Sequence, residues 1–280
     1  MKHVFILSSP ILLAIFVRTF FIDFYYVPSG SMERTLSPED YVVVNKISYG
    51  VKLPLHVRDV PVIGSFFEAP KNKYKLFRAL KSFDSLERED IVVFKSVEDK
   101  NKYLVKRIIG LPRDSIHIQD SRVMINSKKL EENEHITHGY FKQMPAGNRL
   151  YQYYSNKEFD LLSEENKKGW QRNMSVKNVN FSIFPVSKQY TWNRDNYGPV
   201  LIPKKGPTIR LTKENFDLYK KIIIRFEGAR ISLNDEEPKI YTFKRNYFFM
   251  MGDNRHQSID SRGFGFVPEE YIQGKMVFIF

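Results

Sequence analysis

A long apolar run near the amino terminus restricts the fold more than any other feature of this chain. Residues 4–22 are apolar except for Ser8, Ser9, Pro10, Arg18 and Thr19. A helix of this length rises about 1.5 Å per residue and nearly matches a hydrocarbon core of about 30 Å. A dense aromatic group closes the run between residues 20 and 26, which is typical of a membrane-water boundary. The sequence therefore predicts one N-terminal membrane anchor over residues 1–23.

The charges beside this run predict its orientation. Lys2 on the short side and Asp23 on the other side favour a cytoplasmic N-terminus, with the rest of the chain outside the cytoplasm. The alternative is a cleaved secretory signal, because small residues follow the run at Ser29-Gly30-Ser31. No Ala-x-Ala pattern is present and only Met1-Lys2-His3 precedes the run, so an uncleaved anchor in contact with membrane lipid is favoured.

Composition narrows the classes of partner and chemistry. The 44 Lys and Arg residues against 32 Asp and Glu give a net charge of +12, which suits anionic lipid, acidic partners or nucleic acid. No RNA-binding consensus or zinc-finger spacing is visible, so we predict a solvated basic surface and no nucleic acid partner. Because cysteine is absent, disulfides, thiolate metal sites and a cysteine nucleophile are excluded.

The chain beyond residue 36 reads mostly as short β-strands. The runs at 41–44, 91–94, 103–109, 116–118, 123–125, 241–251 and 275–280 are rich in β-branched or aromatic residues. A looser basic stretch at 51–86 is interpreted as a surface loop or a short amphipathic helix. The block at 131–238 is rich in Asn, Tyr and Lys and is interpreted as an inserted, smaller domain. The remaining β domain then comprises 24–130 and 239–280.

Ser31 is the candidate nucleophile because it comes shortly after the anchor in an unusual setting. Gly30 gives the backbone freedom for a close approach, Pro28 stiffens the preceding chain, and Ser29 adds a second hydroxyl. An ordinary surface serine is the alternative. An unactivated serine is a weak nucleophile, so this chemistry requires a base.

Lysine is a better candidate base here than histidine. The six histidines form no convincing triad with an acidic partner; they are His3, His56, His117, His135, His138 and His256. Lys106 lies in an apolar run where burial would lower its pKa from about 10.4 by several units. The alternative, in which Lys106 points to water on an alternating strand, stays open at this point.

A third segment, residues 250–263, indicates a highly specified loop after an apolar strand. It combines Gly252 and Gly263 with short polar and oppositely charged side chains. Asp260 and Arg262 are interpreted first as a structural ion pair. Ser258 is suited to hydrogen-bond a neutral lysine amine and orient it.

Taken together, these segments resemble the type I signal peptidases, the serine-lysine leader peptidases. The matching positions are Pro28 to Met32 with Thr35-Leu36, Asp40 to Lys46, Arg88 to Phe94, Lys106 to Pro112 with Asp114, and Gly252 to Arg262 with Gly265 and Val267-Pro268. The resemblance implies a mainly β fold: an antiparallel β catalytic domain with an inserted smaller β-rich domain, after one N-terminal transmembrane helix.

The same resemblance implies roles for particular residues. Ser31 becomes the nucleophile and Lys106 the general base, while the Ser29 hydroxyl and the Ser31 backbone amide become the oxyanion donors. Ser258 becomes the residue that orients the base. Support of the site is assigned to Asp260, Arg262, Gly252 and Asp253. No metal and no cofactor are implied.

The resemblance also implies substrate and location. The substrates would be preprotein signal peptides with small residues, typically alanine, at the cleavage site. The enzyme would lie in the bacterial cytoplasmic (inner) membrane as a single-pass protein with its catalytic domain on the extracytoplasmic side. A self-cleaving serine-lysine protease of the repressor type is the rival enzyme, and a membrane-tethered basic scaffold is the rival without activity.

Four positions depart from the family pattern. Arg34 stands where the family usually has proline, His256-Gln257 replace Asp-Asn, and Phe264 replaces tryptophan. None of these changes removes a catalytic hydroxyl or amine. They therefore bear on the local rigidity of the site.

Overall fold

A computed structural model describes residues 2–47, 52–53, 78–79, 85–99, 101–175, 182–232 and 239–280. The helices are α1 (Lys2–Phe20), α2 (Asn156–Leu161), α3 (Glu164–Lys167), α4 (Phe216–Arg225) and α5 (Ser261–Phe264). The strands are β1 (Ile22–Tyr26), β2 (Tyr41–Asn45), β3 (Lys52–Leu53), β4 (Arg78–Ala79), β5 (Ile91–Lys95), β6 (Tyr103–Gly110), β7 (Ser115–Gln119), β8 (Arg122–Ile125), β9 (Lys128–Lys129), β10 (His138–Gln143), β11 (Arg149–Tyr154), β12 (Trp170–Arg172), β13 (Tyr197–Leu201), β14 (Thr208–Leu211), β15 (Lys239–Thr242), β16 (Tyr247–Met251), β17 (Val267–Pro268) and β18 (Ile272–Ile279). The fold is thus mainly β with antiparallel sheets, as predicted.

One compact unit comprises residues 1–28, 39–105 and 270–280. Its main sheet places the strands in the order β1-β2-β18-β5, each antiparallel to its neighbour. Val42 and Val44 of β2 are fully buried while Tyr41 is exposed, which is the alternation expected of a strand with one covered face. The predicted strands at 41–44, 91–94 and 275–280 are confirmed in β2, β5 and β18.

The other compact unit comprises residues 29–38 and 106–269. In it, β16 pairs on one side with β6 and on the other with β17, while β13-β7-β8-β9, β11-β10-β12 and β14-β15 form three further sheets. The predicted strands at 116–118 and 123–125 are confirmed in β7 and β8, which form a hairpin whose turn residues Asp120 and Ser121 have φ of 48° and 64°. Two consecutive residues at positive φ match the right-handed twist of a tight hairpin.

Strand β16 is buried along its whole length and ends where the polar loop at 252–263 begins. Phe249 packs at its centre, with ring centroids 5.6 Å from Tyr197 and 6.5 Å from Phe266. The apolar run predicted as one late strand is in fact two, β15 and β16, because a turn at 244–246 separates them. The packed aromatic core gives the loop after β16 a rigid base.

The predicted anchor and domain boundaries stay predictions. Helix α1 has 19 residues and contains Pro10. Within the described part of the chain, we find no helix with the length and apolar character needed to cross a membrane. The compact units group residues by packing and do not test the predicted insertion at 131–238. Apart from β3, β4 and residues 85–86, the basic stretch at 51–86 lies outside the described residues.

Candidate active site

Ser31 lies in a single 3-10 turn, Gly30–Met32, within the segment at 29–36 that we name the serine turn. Ser29 before it is extended, with φ of −146° and ψ of 155°, and Met32 after it is buried. The Ser31 carbonyl oxygen accepts a hydrogen bond from the Asn254 backbone N–H at 3.2 Å. The turn is thereby held against residues 252–263, which we name the glycine loop.

Lys106 reaches Ser31 from strand β6. Its Nζ lies 2.6 Å from the Ser31 Oγ. Arg107 pairs with Met251 of β16, so Lys106 comes opposite the first residue of the glycine loop. Only 3% of Lys106 is exposed, so the alternative in which it points to water is wrong.

The environment of Lys106 increases the fraction of its neutral form. Burial lowers the pKa of Lys106 to about 8 from its ordinary 10.5, while the carboxylates of Asp260 and Asp253 act in the opposite direction. An ammonium buried away from water is costly, which is why the desolvation effect wins. A neutral amine at this distance is placed to accept the proton of a serine hydroxyl.

Gly252 allows the backbone of the glycine loop to approach the serine turn closely. A Cβ built on Gly252 would lie 2.5 Å from the Ser31 carbonyl oxygen, closer than real Cβ contacts come, and would also collide with Ser258. Any larger residue at position 252 would therefore push the glycine loop away from Ser31.

Asp253 fixes the strand of the base to the turn of the nucleophile. Its carboxylate accepts two hydrogen bonds from Arg107, at 2.8 Å from Nε and 2.5 Å from Nη2, and one from the Thr35 hydroxyl at 2.5 Å. Asp253 is fully buried, so the charge of Arg107 compensates it. The sequence reasoning did not assign Arg107 or Thr35. The sequence feature that indicates this contact is Arg107 itself, a cation next to Lys106 whose charge is opposite to that of Asp253.

Asp260 and Arg262 form the predicted ion pair. The Arg262 guanidinium donates to both carboxylate oxygens of Asp260, at 2.9 and 2.7 Å, and both residues are buried. Burial alone would raise the pKa of Asp260, but the charge and hydrogen bonds of Arg262 outweigh it and hold that pKa below its usual range. Asp260 also accepts a 3.2 Å hydrogen bond from the Gly252 backbone N–H, which ties the pair to the start of the glycine loop.

Ser258 lies over Gly252 and is 2% exposed. No described residue hydrogen-bonds to its Oγ at ordinary geometry, although the hydroxyl is near enough to Asp260 to help lower the pKa of that carboxyl. The predicted hydrogen bond from Ser258 to Lys106 is therefore not formed in this arrangement. Its role in orienting the base stays a prediction.

Ser29 and the histidines complete the predicted set. Ser29 is exposed and its side chain does not cap the 3-10 turn, so its hydroxyl remains available for other partners. His138 Nε2 lies 2.7 Å from the Glu132 carboxylate, and His256 contacts the backbone of Gly139 and Asn173. Both histidines are thus engaged away from Ser31.

Comparison with known proteins identifies the family of the chain. The family model described as signal peptidase, peptidase S26 matches residues 1–188 and 210–280. Signal peptidase I of Buchnera aphidicola subsp. Schizaphis graminum is 30% identical over 265 residues, which cover 92% of this chain and 68% of the relative. Signal peptidase I of Buchnera aphidicola subsp. Baizongia pistaciae is 31% identical over 283 residues, which cover 96% of this chain and 73% of the relative.

Among solved structures, the crystal structure of a signal peptidase I from Enterococcus faecalis V583 has a TM-score of 0.33 and 18% identity, covering 70% of this chain and 100% of that chain. The assignment rests on the sequence matches, which extend over nearly the whole chain. This chain belongs to the signal peptidase family, peptidase S26, and is a hydrolase of the type I signal peptidase class.

Proposed function

We propose that this chain is a membrane-bound serine endopeptidase that cleaves signal peptides from exported preproteins by a Ser-Lys dyad. The observation that carries the proposal is the 2.6 Å separation between Lys106 Nζ and Ser31 Oγ, with Lys106 buried. A serine and a lysine at hydrogen-bond distance, with the lysine pKa lowered towards neutrality, are the two parts that this chemistry needs.

Neutral Lys106 takes the proton of the Ser31 hydroxyl as the serine oxygen attacks the scissile carbonyl. The Ser29 hydroxyl and the Ser31 backbone amide donate hydrogen bonds to the oxyanion. The Lys106 ammonium then gives its proton to the leaving amine, which leaves an ester on Ser31. Lys106 next takes a proton from water as the water oxygen attacks the ester carbonyl. The bond to Ser31 Oγ then breaks, Lys106 returns the proton to that oxygen, and the new carboxyl end is released with Ser31 and neutral Lys106 restored.

The buried ion pairs around the dyad have a positioning role in this proposal. Asp253 joins Arg107, next to the base, to Thr35, four residues after the nucleophile. Asp260 and Arg262 hold the backbone of Gly252, and Ser258 orients the Lys106 amine when substrate is bound. Such contacts keep the reacting atoms in place without touching the substrate.

The proposed substrate follows from the family. The relatives are signal peptidases, so we assign this chain preproteins whose signal peptides have small residues one and three positions before the cut. The substrate would bind in an extended form as an added strand, which supplies backbone hydrogen bonds without selecting for sequence. No cofactor, metal or nucleic acid takes part.

The proposed location is the bacterial cytoplasmic (inner) membrane, with the predicted anchor at 1–23 as the single pass and the catalytic domain on the extracytoplasmic side. Exposed aromatic residues in the unit that contains α1 support contact with lipid. Phe280 stacks on Tyr41 at 5.7 Å and meets Phe24 edge-on at 6.1 Å, and these three side chains are 61%, 45% and 41% exposed. Such aromatic clusters favour the headgroup region of a membrane.

The domain organisation remains as the sequence predicts it: an anchor at 1–23, a catalytic β domain at 24–130 and 239–280, and an inserted variable domain at 131–238. Along the chain, β7 and β8 precede the proposed insertion and β16 follows it.

Cleavage of a defined preprotein tests this function. We expect the full chain in detergent to cut a preprotein with alanine one and three residues before the site, and mass spectrometry to place the new N-terminus at that bond. A matched preprotein with phenylalanine directly before the site should be cut far more slowly. Failure to cut the alanine substrate, or equal cutting of both, would contradict the proposed function.

The pH dependence of cleavage tests the base. Only neutral Lys106 accepts a proton, and its pKa is about 8. We therefore expect kcat/KM to rise with pH through about 8 and to fall roughly tenfold for each pH unit below it. A plateau already reached at pH 6.5 would indicate a histidine or carboxylate base instead.

A further inference from the structure

The sheet β11-β10-β12 and helix α2 contact both loops of the proposed site. We name residues 138–173 the brace, since they carry this sheet and helix and lie inside the predicted insertion at 131–238. The contacts are made by Arg34 of the serine turn and by His256 and Gln257 of the glycine loop. These are three of the positions at which the chain departs from the family pattern.

Arg34 connects the nucleophile to the brace. It follows Ser31 by three residues and has a left-handed backbone with φ of 74°. That conformation is unfavourable for a residue with a side chain, so it persists where the surroundings enforce it. Arg34 Nη2 donates to the Tyr153 carbonyl oxygen at 3.0 Å, and Nη1 forms an ion pair with Glu158 Oε1.

Glu158 is held ready for this ion pair by helix α2. Its backbone N–H donates to the Ser155 Oγ at 3.2 Å, and its Oε2 accepts from the Ser155 backbone N–H at 2.8 Å, which completes a capping box. The other carboxylate oxygen faces Arg34. Burial alone would raise the pKa of Glu158, but the hydrogen bond and charge of Arg34 and the hydrogen bonds of Ser155 together lower it.

The brace also holds the glycine loop. Gln257 Nε2 donates to the Tyr153 hydroxyl at 2.7 Å. His256 Nδ1 accepts from the Gly139 backbone N–H at 3.1 Å, so Nε2 carries the proton that is donated to the Asn173 carbonyl oxygen. A Cβ on Gly139 would come within 3.2 Å of the His256 ring, which shows how closely the two segments pack.

Asn254 closes the network between the two loops. Its side-chain amide lies 3.2 Å from Glu33 Oε2 and 3.4 Å from Gln257 Oε1, while its backbone N–H donates to the Ser31 carbonyl. Both loops that converge at the dyad are therefore fastened to one strand, β11, through Tyr153. The Tyr153 carbonyl oxygen accepts a hydrogen bond from Arg34 of the serine turn, and the Tyr153 hydroxyl accepts one from Gln257 of the glycine loop.

We infer that the brace positions the nucleophile, with Arg34 and Glu158 as positioning residues that keep Ser31 at hydrogen-bond distance from Lys106. This inference rests on the proposed function, because it gives a catalytic purpose to part of the predicted insertion. Neither residue touches the dyad. Their effect therefore falls on the rate of the chemical step, with substrate binding left nearly unchanged.

A double-mutant cycle tests the inference. Arg34→Gln and Glu158→Gln remove the charges, and glutamine at 158 preserves the capping box. We expect each single variant to lower kcat by about 3- to 5-fold with KM within about twofold of wild type, which is the scale of a partly exposed ion pair. The double variant should lose no more than the larger single loss, because both changes remove the same contact.

A matched control lies one residue away on α2. Lys157 pairs with Glu134 at 3.0 Å, and both side chains are more than 60% exposed. Lys157→Gln and Glu134→Gln should leave kcat unchanged. Unchanged kcat in Arg34→Gln and Glu158→Gln, or losses that multiply in the double variant, would overturn the inference.

A second measurement does not depend on cleavage. The Thr35 and Leu36 backbone N–H groups bond within the serine turn, to the Met32 carbonyl oxygen at 2.9 and 2.8 Å. Their hydrogen exchange should be several-fold faster in Arg34→Gln and Glu158→Gln and unchanged in the Lys157→Gln control. Equal exchange in all variants would contradict the inference even if the chain cuts preproteins, and failure of wild type to cut them would contradict the proposed function alone.

Discussion

Ser31→Ala and Lys106→Met variants are expected to cleave an alanine-site preprotein at least about 10⁴-fold more slowly than wild type. Ser31→Ala removes the atom that forms the acyl-enzyme. Lys106→Met keeps a side chain of similar length at a position that is 3% exposed but removes the amine that lies 2.6 Å from Ser31 Oγ. General-base catalysis alone is worth about 10²–10⁴-fold, and the serine cannot act without it.

The control for Lys106→Met is Lys128→Met on β9, where the side chain is exposed. Rates should be measured in detergent on purified full chains, with circular dichroism to establish that each variant is folded. Lys128→Met should cut at the wild-type rate. Cleavage by either dyad variant within about tenfold of wild type would rule out the proposed mechanism.

The second large effect concerns stability. Asp260→Asn is expected to lower the free energy of unfolding by about 3 kcal/mol, because it leaves the Arg262 guanidinium buried without its counter-charge. Arg262 is 3% exposed and Asp260 is 1% exposed, so water cannot replace the lost partner. Urea unfolding followed by tryptophan fluorescence would give the change.

An exposed pair in the same compact unit provides the comparison. Lys129 and Glu131 lie 3.6 Å apart with side chains 56% and 85% exposed. Glu131→Gln should change the free energy of unfolding by less than about 1 kcal/mol. If Asp260→Asn shifts the unfolding midpoint no more than Glu131→Gln does, the Asp260–Arg262 pair does not stabilise the fold as we describe.

The local sequence pattern predicted most of the strands, because buried and exposed side chains alternate along a strand with one covered face. The alternation in β2 and the two apolar halves of the β7-β8 hairpin were sufficient to place them. The same alternation left the orientation of Lys106 open, because a charged residue in a strand is usually solvent-exposed. Here the pairing of β6 with β16 turns that lysine towards the serine turn, which only long-range strand order determines.

The contacts that complete the site could not be predicted for the same reason. Thr35 and Asp253 are separated by 218 positions, and Arg107 and Asp253 by 146. No local period relates such residues, and the resemblance to a family supplied roles for single positions without their partners. Arg34 illustrates this, since its contact is with Glu158, which lies far along the chain inside the predicted insertion at 131–238.

The contacts of Tyr153 determine how this protein can be recombined with its relatives. Tyr153, which lies in the predicted insertion at 131–238, accepts hydrogen bonds from both the serine turn and the glycine loop, through its carbonyl oxygen and its hydroxyl. The segment that contains Tyr153 is therefore not independent of the two loops. A chimera that exchanges residues 131–238 for those of another family member would need matching residues at positions 34, 256 and 257. A substitution at any one of these positions limits which residues the contacting segment can accept.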